Sequence, residues 1–366
     1  MKTTKLIFKL FLLSLVFVAC DEDTTPSEIL DTFENGIIIS AEGAWKAKDG
    51  SISFVSEDYS MSTNFLYKGV NGSKLGGLIQ SIGFNGDDAY IVLNDVNTIV
   101  VADRYTFLKK AVITTGLTNP RYIAFANGKG YVTNWGDADN INDEFIAVVD
   151  LESNKVESTF SISNGPEQIV SQGSKLYVSN RGGTGSGTAY NNVVSVIETD
   201  AANAISTIEV NDAPDDMVFN AAGNLVVLSQ GEQSSWAQDE NGIWYAQIET
   251  TAAIQTIDVS SNTVSSTIEF GVGVHPNLLD IDGSNIYYHI GYIGVFSIAD
   301  DATELSEEAA ILTDNLYGMS VKDGKVYGVL KTFEELSELI ITDATSKSKL
   351  YSTAVGLGAS KIYFNE

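Results

Sequence analysis

The sequence predicts an all-β fold, a seven-bladed β-propeller of four-stranded blades closed by strands from both ends of the chain. Three observations predict it. Four of the chain's five prolines, Pro120, Pro166, Pro214 and Pro276, open similar segments at spacings of 46, 48 and 62 residues. Each unit then holds short β-rich runs separated by turns, the pattern of a propeller blade repeating at about 40–50 residues. The segments left over at the two ends complete one further unit.

The chain opens on Lys2, Lys5 and Lys9, followed by an apolar run from Leu10 to Val18 broken by one serine. This is the layout of a secretory signal over residues 1–19, too short to span a bilayer as a helix. Its ending, Val18-Ala19-Cys20, resembles the lipobox of bacterial lipoproteins, which implies acylation at Cys20. Cys20 is the only cysteine, so no intramolecular disulfide can form. Residues 20–35 begin with Asp21-Glu22-Asp23 and are expected to form an acidic, hydrated tether. Such acidic starts resemble the surface-export signals of some Gram-negative lipoproteins, implying an outer-membrane protein exposed at the cell surface.

Residues 36–366 are expected to form a single propeller domain. After each proline comes an inner-strand motif: Arg121-Tyr-Ile-Ala-Phe, Glu167-Gln-Ile-Val-Ser, Asp215-Asp-Met-Val-Phe and Asn277-Leu-Leu-Asp-Ile. A second strand follows, as in Gly130-Tyr-Val-Thr-Asn and Leu176-Tyr-Val-Ser-Asn. Units without the proline begin near Gly77 and Leu316. Gly36 to Tyr67 supplies three strands of a seventh blade, and Lys361-Ile-Tyr-Phe364 supplies the fourth, which removes the open edges of the ring. A ring of six or eight blades is the competing count.

Gly130-Tyr-Val-Thr-Asn134, its near copy Tyr177-Val-Ser-Asn180, and the flanking Val148-Val-Asp150, Lys155-Val156 and Gly165-Pro166 resemble the YVTN-type propeller repeats. The resemblance covers about residues 75 to 355. It implies the fold and little about activity, because propellers carry many functions.

The formal charge is −27, and removal of Lys2, Lys5 and Lys9 takes it to −30. Nucleic acid and anionic lipid surfaces are poor partners for such a chain, leaving the lipid anchor as its only membrane contact. His275 and His289 have no ligand partners at metal spacing, and no nucleophile–base arrangement stands out. Gly182 to Gly187 reads as a flexible loop. The acidic run Asp137–Glu144 lacks the glycine and distal glutamate of an EF-hand loop and reads as a solvated connection. No cofactor, no metal site and no catalysis are expected.

The chain has three arginines, Arg104, Arg121 and Arg181. Arg121 begins an innermost strand and Arg181 ends its neighbour, so antiparallel pairing brings both to one rim of the ring. Trp135 and Lys331 approach the place of Arg181 in other blades. Two readings follow: a site for a flat anionic ligand, or blade-to-blade pairs with Glu167, Asp215 or Asp216. The insertion between Gly231 and Thr250 adds Trp236, Trp244 and Tyr245, either as part of the site or folded onto its own blade.

An acidic, anchored propeller of this kind resembles the accessory surface lipoproteins of TonB-dependent outer-membrane transporters. The resemblance implies capture of a small anionic ligand, such as a ferric siderophore, and hand-over to a transporter by a protein otherwise monomeric. A protein- or glycan-binding surface scaffold is the alternative, with a lactonase- or lyase-like enzyme third. Cys20→Ser is expected to move the protein from the membrane fraction to the soluble fraction, and unchanged retention would refute the anchor.

Overall fold

The second and third strands of each unit are apolar at nearly every position, so both of their faces must be covered. Tyr131, Val132, Thr133 and Asn134 are all buried, as are Ile146 to Val149 on the next strand. The fourth strand of the same unit, Lys155–Ser161, is mostly exposed. That gradient is met by sheets stacked face to face around an axis, with the last strand of each outermost.

The computed structural model describes residues 32–366, except 45, 138–139, 184–188, 234–235, 239–241, 247–248, 314, 331 and 333. Residues 1–31, with Cys20 and most of the tether, lie outside them. Thr32–Glu366 forms one compact unit containing seven four-stranded antiparallel sheets. The innermost strands are Ile79–Asn85, Pro120–Ala126, Pro166–Gln172, Pro214–Phe219, Leu278–Asp282, Leu316–Lys322 and Ala359–Asn365, in blades 1 to 7. In blade 7 the C-terminal strand is innermost, followed outward by Gly36–Ala41, Ser51–Ser56 and Ser62–Thr63. Ile37, Ile38 and Ile39 stand opposite Phe364, Tyr363 and Ile362, as the sequence predicts.

Each of the seven blade interfaces encloses its own apolar cluster. Among the described residues aromatic pairs reinforce five of them: Tyr90 with Phe125, Tyr177 with Phe219, Phe270 with Tyr288, Tyr327 with Phe364, and Tyr363 with Phe84. The asparagines that end the Tyr-Val-Thr-Asn and Tyr-Val-Ser-Asn strands fasten the loop entering their blade. Asn134 accepts from Thr118 N–H at 2.9 Å, and Asn180 donates to Ser163 O at 2.7 Å.

An innermost strand has only one sheet neighbour, so half of its backbone groups face the central channel. At each interface a side chain of one blade satisfies such a group on the next blade. Ser81 Oγ donates to Arg121 O (2.7 Å), and Thr133 Oγ1 donates to Glu167 O (2.8 Å). Gln168 accepts from Met217 N–H, Asp216 from Leu279 N–H (2.9 Å) and Asp280 from Val321 N–H (2.8 Å). Ser320 Oγ donates to Ile362 O (3.1 Å), and the hydroxyl of Tyr363 accepts from Ile82 N–H (2.8 Å), which closes the circle.

Two features lie outside the seven four-stranded blades. Leu66–Asn71 is a short helix after the outermost strand of blade 7. The insertion in blade 4 contains a hairpin that pairs Trp236–Gln238 with Trp244–Ala246. Among the described residues no helix is long and apolar enough to cross a membrane.

The closing strand carries both its ladder to Gly36–Ala41 and the last hydrogen bond of the circle. Deleting Ser360 to Glu366 is therefore expected to lower the melting temperature by several degrees, the scale of a few kcal/mol. Calorimetry checks it, and a deletion as stable as the parent would place the closure elsewhere.

Candidate functional site

A β-bulge recurs where the innermost strands begin. In blade 2, Pro120 pairs with Asn134 and Ile123 with Val132, so Arg121 and Tyr122 together oppose one residue. Blades 1, 3, 4, 6 and 7 show the same shift. A bulge bends its strand and re-aims side chains, and here it delivers two tiers of residues to the channel. The outer tier is Gln80, Arg121, Glu167, Asp215, Asn277, Tyr317 and Ser360, all lining a cavity of about 420 Å³ at the mouth. The next tier is Ser81, Tyr122, Gln168, Asp216, Leu278, Gly318 and Lys361, all lining a contiguous cavity of about 350 Å³ within the channel. Glu42 and Arg181 add to the rim.

The two arginines differ in what they have left to offer. Arg121 holds Glu167 with two bonds, Nε to Oε2 at 2.9 Å and Nη2 to Oε1 at 2.7 Å, while its Nη1 donates to Gln80 at 2.7 Å. The ring of Trp135 covers its guanidinium at 3.9 Å. Arg121 is 14% exposed and Glu167 4%. Removing one member of so buried a pair strands the other charge, at about 3–5 kcal/mol. Arg121 is thus a clamp between blades 1, 2 and 3.

Arg181 stands 3.8 Å from Asp215, and its Nη2 reaches Gln230 only at 3.4 Å. Its Nε is buried with no hydrogen-bond partner among the described residues. The Asp215 carboxylate outweighs the burial and holds the guanidinium above its ordinary pKa. A guanidinium carries five donors in a fixed fork, so this one retains capacity for an acceptor.

Lys361 is the third cation, on the strand that the sequence predicts to close the ring. Burial works against its charge, yet Tyr122, Asp216 and Asp215 around it raise its pKa well above the ordinary value. Its Nζ lies 5.5 Å from the Tyr122 ring centre. Among the described residues no carboxylate forms an ion pair with it. Burial pushes the Asp216 carboxyl up to about 7 despite Lys361 beside it. Tyr317 donates to Glu42 at 2.7 Å on the same rim.

Of the other residues singled out, Lys331 lies outside the described residues, as do the side chains of Trp236 and Tyr245. Trp244 is 62% exposed. His275 bonds Gln230 O at 2.7 Å and Glu249 at 3.0 Å, fastening the base of the insertion, and buried His289 bonds Asn277 at 2.7 Å. Most of the glycine-rich loop and part of Asp137–Glu144 are outside the described residues. Among the described residues no group of three or more His, Cys, Asp or Glu is placed to hold a metal.

Fold and site together define a seven-bladed β-propeller with a charged, bulge-built channel mouth. The chain belongs to the family described as a domain of unknown function, DUF5074, whose model matches residues 35–267. No curated protein matches it. Among solved structures it is similar to a quinonprotein alcohol dehydrogenase-like protein from Bacteroides thetaiotaomicron, at 13% identity and TM-score 0.65 over 92% of this chain and 79% of the other. A periplasmic gluconolactonase from Pseudomonas aeruginosa matches at 12% identity and TM-score 0.59, over 90% and 99%. Apo AztD from Citrobacter koseri matches at 11% identity and TM-score 0.51, over 89% and 96%.

These likenesses correct one expectation. Missing metal and nucleophile motifs led the sequence reading to exclude catalysis, but the similar propellers include a gluconolactonase and a dihydro-heme d1 dehydrogenase. Exclusion from motifs fails because a propeller gathers its channel residues from seven separate repeats.

Proposed function

We propose that the protein binds a small, hydroxylated, singly charged acid at the channel mouth, with Arg181 and Lys361 receiving the acid group. The observation that carries this reading is the contrast between Arg121, whose three nitrogens each hold a bond of 2.7–2.9 Å, and Arg181, whose Nη1 and Nη2 meet partners only at 3.8 and 3.4 Å. A carboxylate ligand would complete those loosely met Nη donors with charge-assisted bonds. The remaining lining is rich in amides, hydroxyls and carboxylates, namely Gln80, Asn94, Asn277, Tyr122 and Tyr317 with Glu42, Asp215 and Asp216. Those groups suit a polyol.

The same lining narrows the ligand expected from the sequence. Four carboxylates, Glu42, Glu167, Asp215 and Asp216, surround three cations, one of which is neutralised by Glu167. A multiply charged ferric siderophore meets repulsion there, and Trp135 covers Arg121 rather than offering an open ring. A sugar acid fits better. The likeness to a gluconolactonase agrees in chemical class, since opening a sugar lactone yields such an acid.

A catalytic form of this reading rests on Asp216. A carboxyl pushed up to about 7 can take and return a proton at neutral pH, and Tyr122 and Lys361 stand beside it. Anchoring at Cys20 and hand-over to an outer-membrane transporter belong to the same proposal. Phe33 N–H donates to Tyr105 O in a turn at the end of blade 1 opposite the mouth, which leaves the mouth open to a second protein.

Titration calorimetry with gluconate, and with glucose as the uncharged control, tests the reading. Arg181→Gln and Lys361→Met are each expected to weaken gluconate about ten- to a hundredfold, as for loss of a charge-assisted bond of about 1.5–3 kcal/mol, while keeping the melting temperature. Binding should strengthen as pH falls from 8 to 6, because protonating Asp216 removes a negative charge beside Lys361. Gluconolactone consumption by the parent but not by Asp216→Asn would support the catalytic form. Gluconate affinity indifferent to both cation substitutions would overturn the proposal.

A further inference from the structure

A second cavity, of about 470 Å³, lies on the mouth side of the ring but outside the channel. It opens between the helix Leu66–Asn71 and the 334–336 turn of blade 6. Its floor is apolar, made by Ile52, Tyr67, Leu75 and Leu357. Phe65 and Leu336 stand at its edges, 45% and 40% exposed.

The backbone at Phe65 is left-handed, as it is at the aromatic residues Tyr59, Phe107 and Tyr292. Its φ of 57° and ψ of 34° place it in the left-handed region, where a bulky residue is a genuine outlier. Glycine adopts that conformation without strain, and the position is the cap of a helix whose first bond runs from Gly69 N–H to Phe65 O at 2.9 Å. The sequence places an aromatic ring there and leaves nearly half of it open to solvent.

The charges around this cavity are arranged by wall. Lys68 lies one helical turn beyond Phe65, on the same face, and Lys74 follows the helix. Glu334 and Glu335 lie across the cavity, their N–H groups both directed at Thr332 Oγ1 (3.2 and 3.4 Å). Among the described residues none of these four charges forms an ion pair. Two free cations thus face two free anions over an apolar floor. A ligand complementary to that pattern carries both charges around an apolar body, and the volume is in the range of small-molecule sites.

We infer that this cavity binds a small apolar zwitterion, an apolar amino acid or short peptide. Its carboxylate lies toward Lys68 and Lys74, its ammonium toward Glu334 and Glu335, and its side chain packs on Phe65 and Leu336. Two extended residues reach about 7 Å, so leucine and the dipeptide Leu-Leu distinguish the two sources of this chemistry.

The test is calorimetric titration of the full-length protein with leucine, Leu-Leu, and Leu-Leu acetylated and amidated at its ends. At least one zwitterion should bind, and the tighter of the two names the source. Capping should weaken Leu-Leu at least tenfold, and so should the pair Lys68→Glu, Lys74→Glu. Phe65→Gly gives the sharper outcome: relief of the left-handed strain should keep or raise the melting temperature while affinity falls at least tenfold. Arg181→Gln, at the channel mouth, should leave this binding unchanged. No binding of either zwitterion, equal binding of the capped dipeptide, or parental affinity in Phe65→Gly would overturn the inference.

Discussion

Seven innermost strands converge on one axis with a free edge each, and their backbone groups must find partners there. Backbone N–H and C=O groups are paired with protein or water in nearly every native structure, and among the described residues no further strand lies along the axis. The chain meets the constraint with one side chain per interface, each bonded to the next blade, from Ser81 through Asp280 to Tyr363. The apolar clusters between blades supply most of the burial. The circle of polar bonds sets how each inner strand is turned toward the channel.

The mouth follows from that arrangement. Because the inner edge has no ladder to keep in step, a bulge at its start costs few hydrogen bonds and presents two side chains where a regular strand would present one. In blades 3 and 4 the second residue of the bulge serves the circle, as Met217 N–H meets Gln168 and Leu279 N–H meets Asp216. The first residue of the bulge is free to differ. In blade 2 the place holds Arg121, used as a clamp, and in blade 4 it holds Asp215, set loosely against Arg181. One structural device therefore yields both rigid and open charges on a single rim. Asp216 serves both fold and site, accepting from Leu279 N–H in the circle while lining the mouth.

Much of this was legible in the sequence. The proline spacing marked the blades, the Tyr-Val-Thr-Asn strand marked the fold, and the lone C-terminal run Ile362-Tyr-Phe364 marked the closure. The position of Arg121 and Arg181 on one rim followed from antiparallel pairing, and the carboxylates weighed as their partners, Glu167 and Asp215, are the ones they face. What the sequence could not show is which pairing is tight, because that depends on ångström-scale geometry at the bulge. Lys361 was missed for a related reason. Its strand lacks the proline that marks Arg121, so its equivalence to Tyr122 and Asp216 appears only in the register of blade 7. The helix Leu66–Asn71 escaped because Leu-Tyr-Lys-Gly-Val-Asn is too short for helical periodicity and contains a glycine. Catalysis was excluded on motif grounds, which a site assembled from seven repeats does not respect.

The circle of inner-edge bonds is the claim on which fold and site both rest, and native-state hydrogen exchange reads it directly. The amides of Ile82, Met217, Leu279 and Val321 border a channel wide enough for water, yet each donates to a side chain of the preceding blade. They are predicted to exchange only with global unfolding, as slowly as the central strands. Exchange of these four amides at the rate of the surface loops would contradict the account.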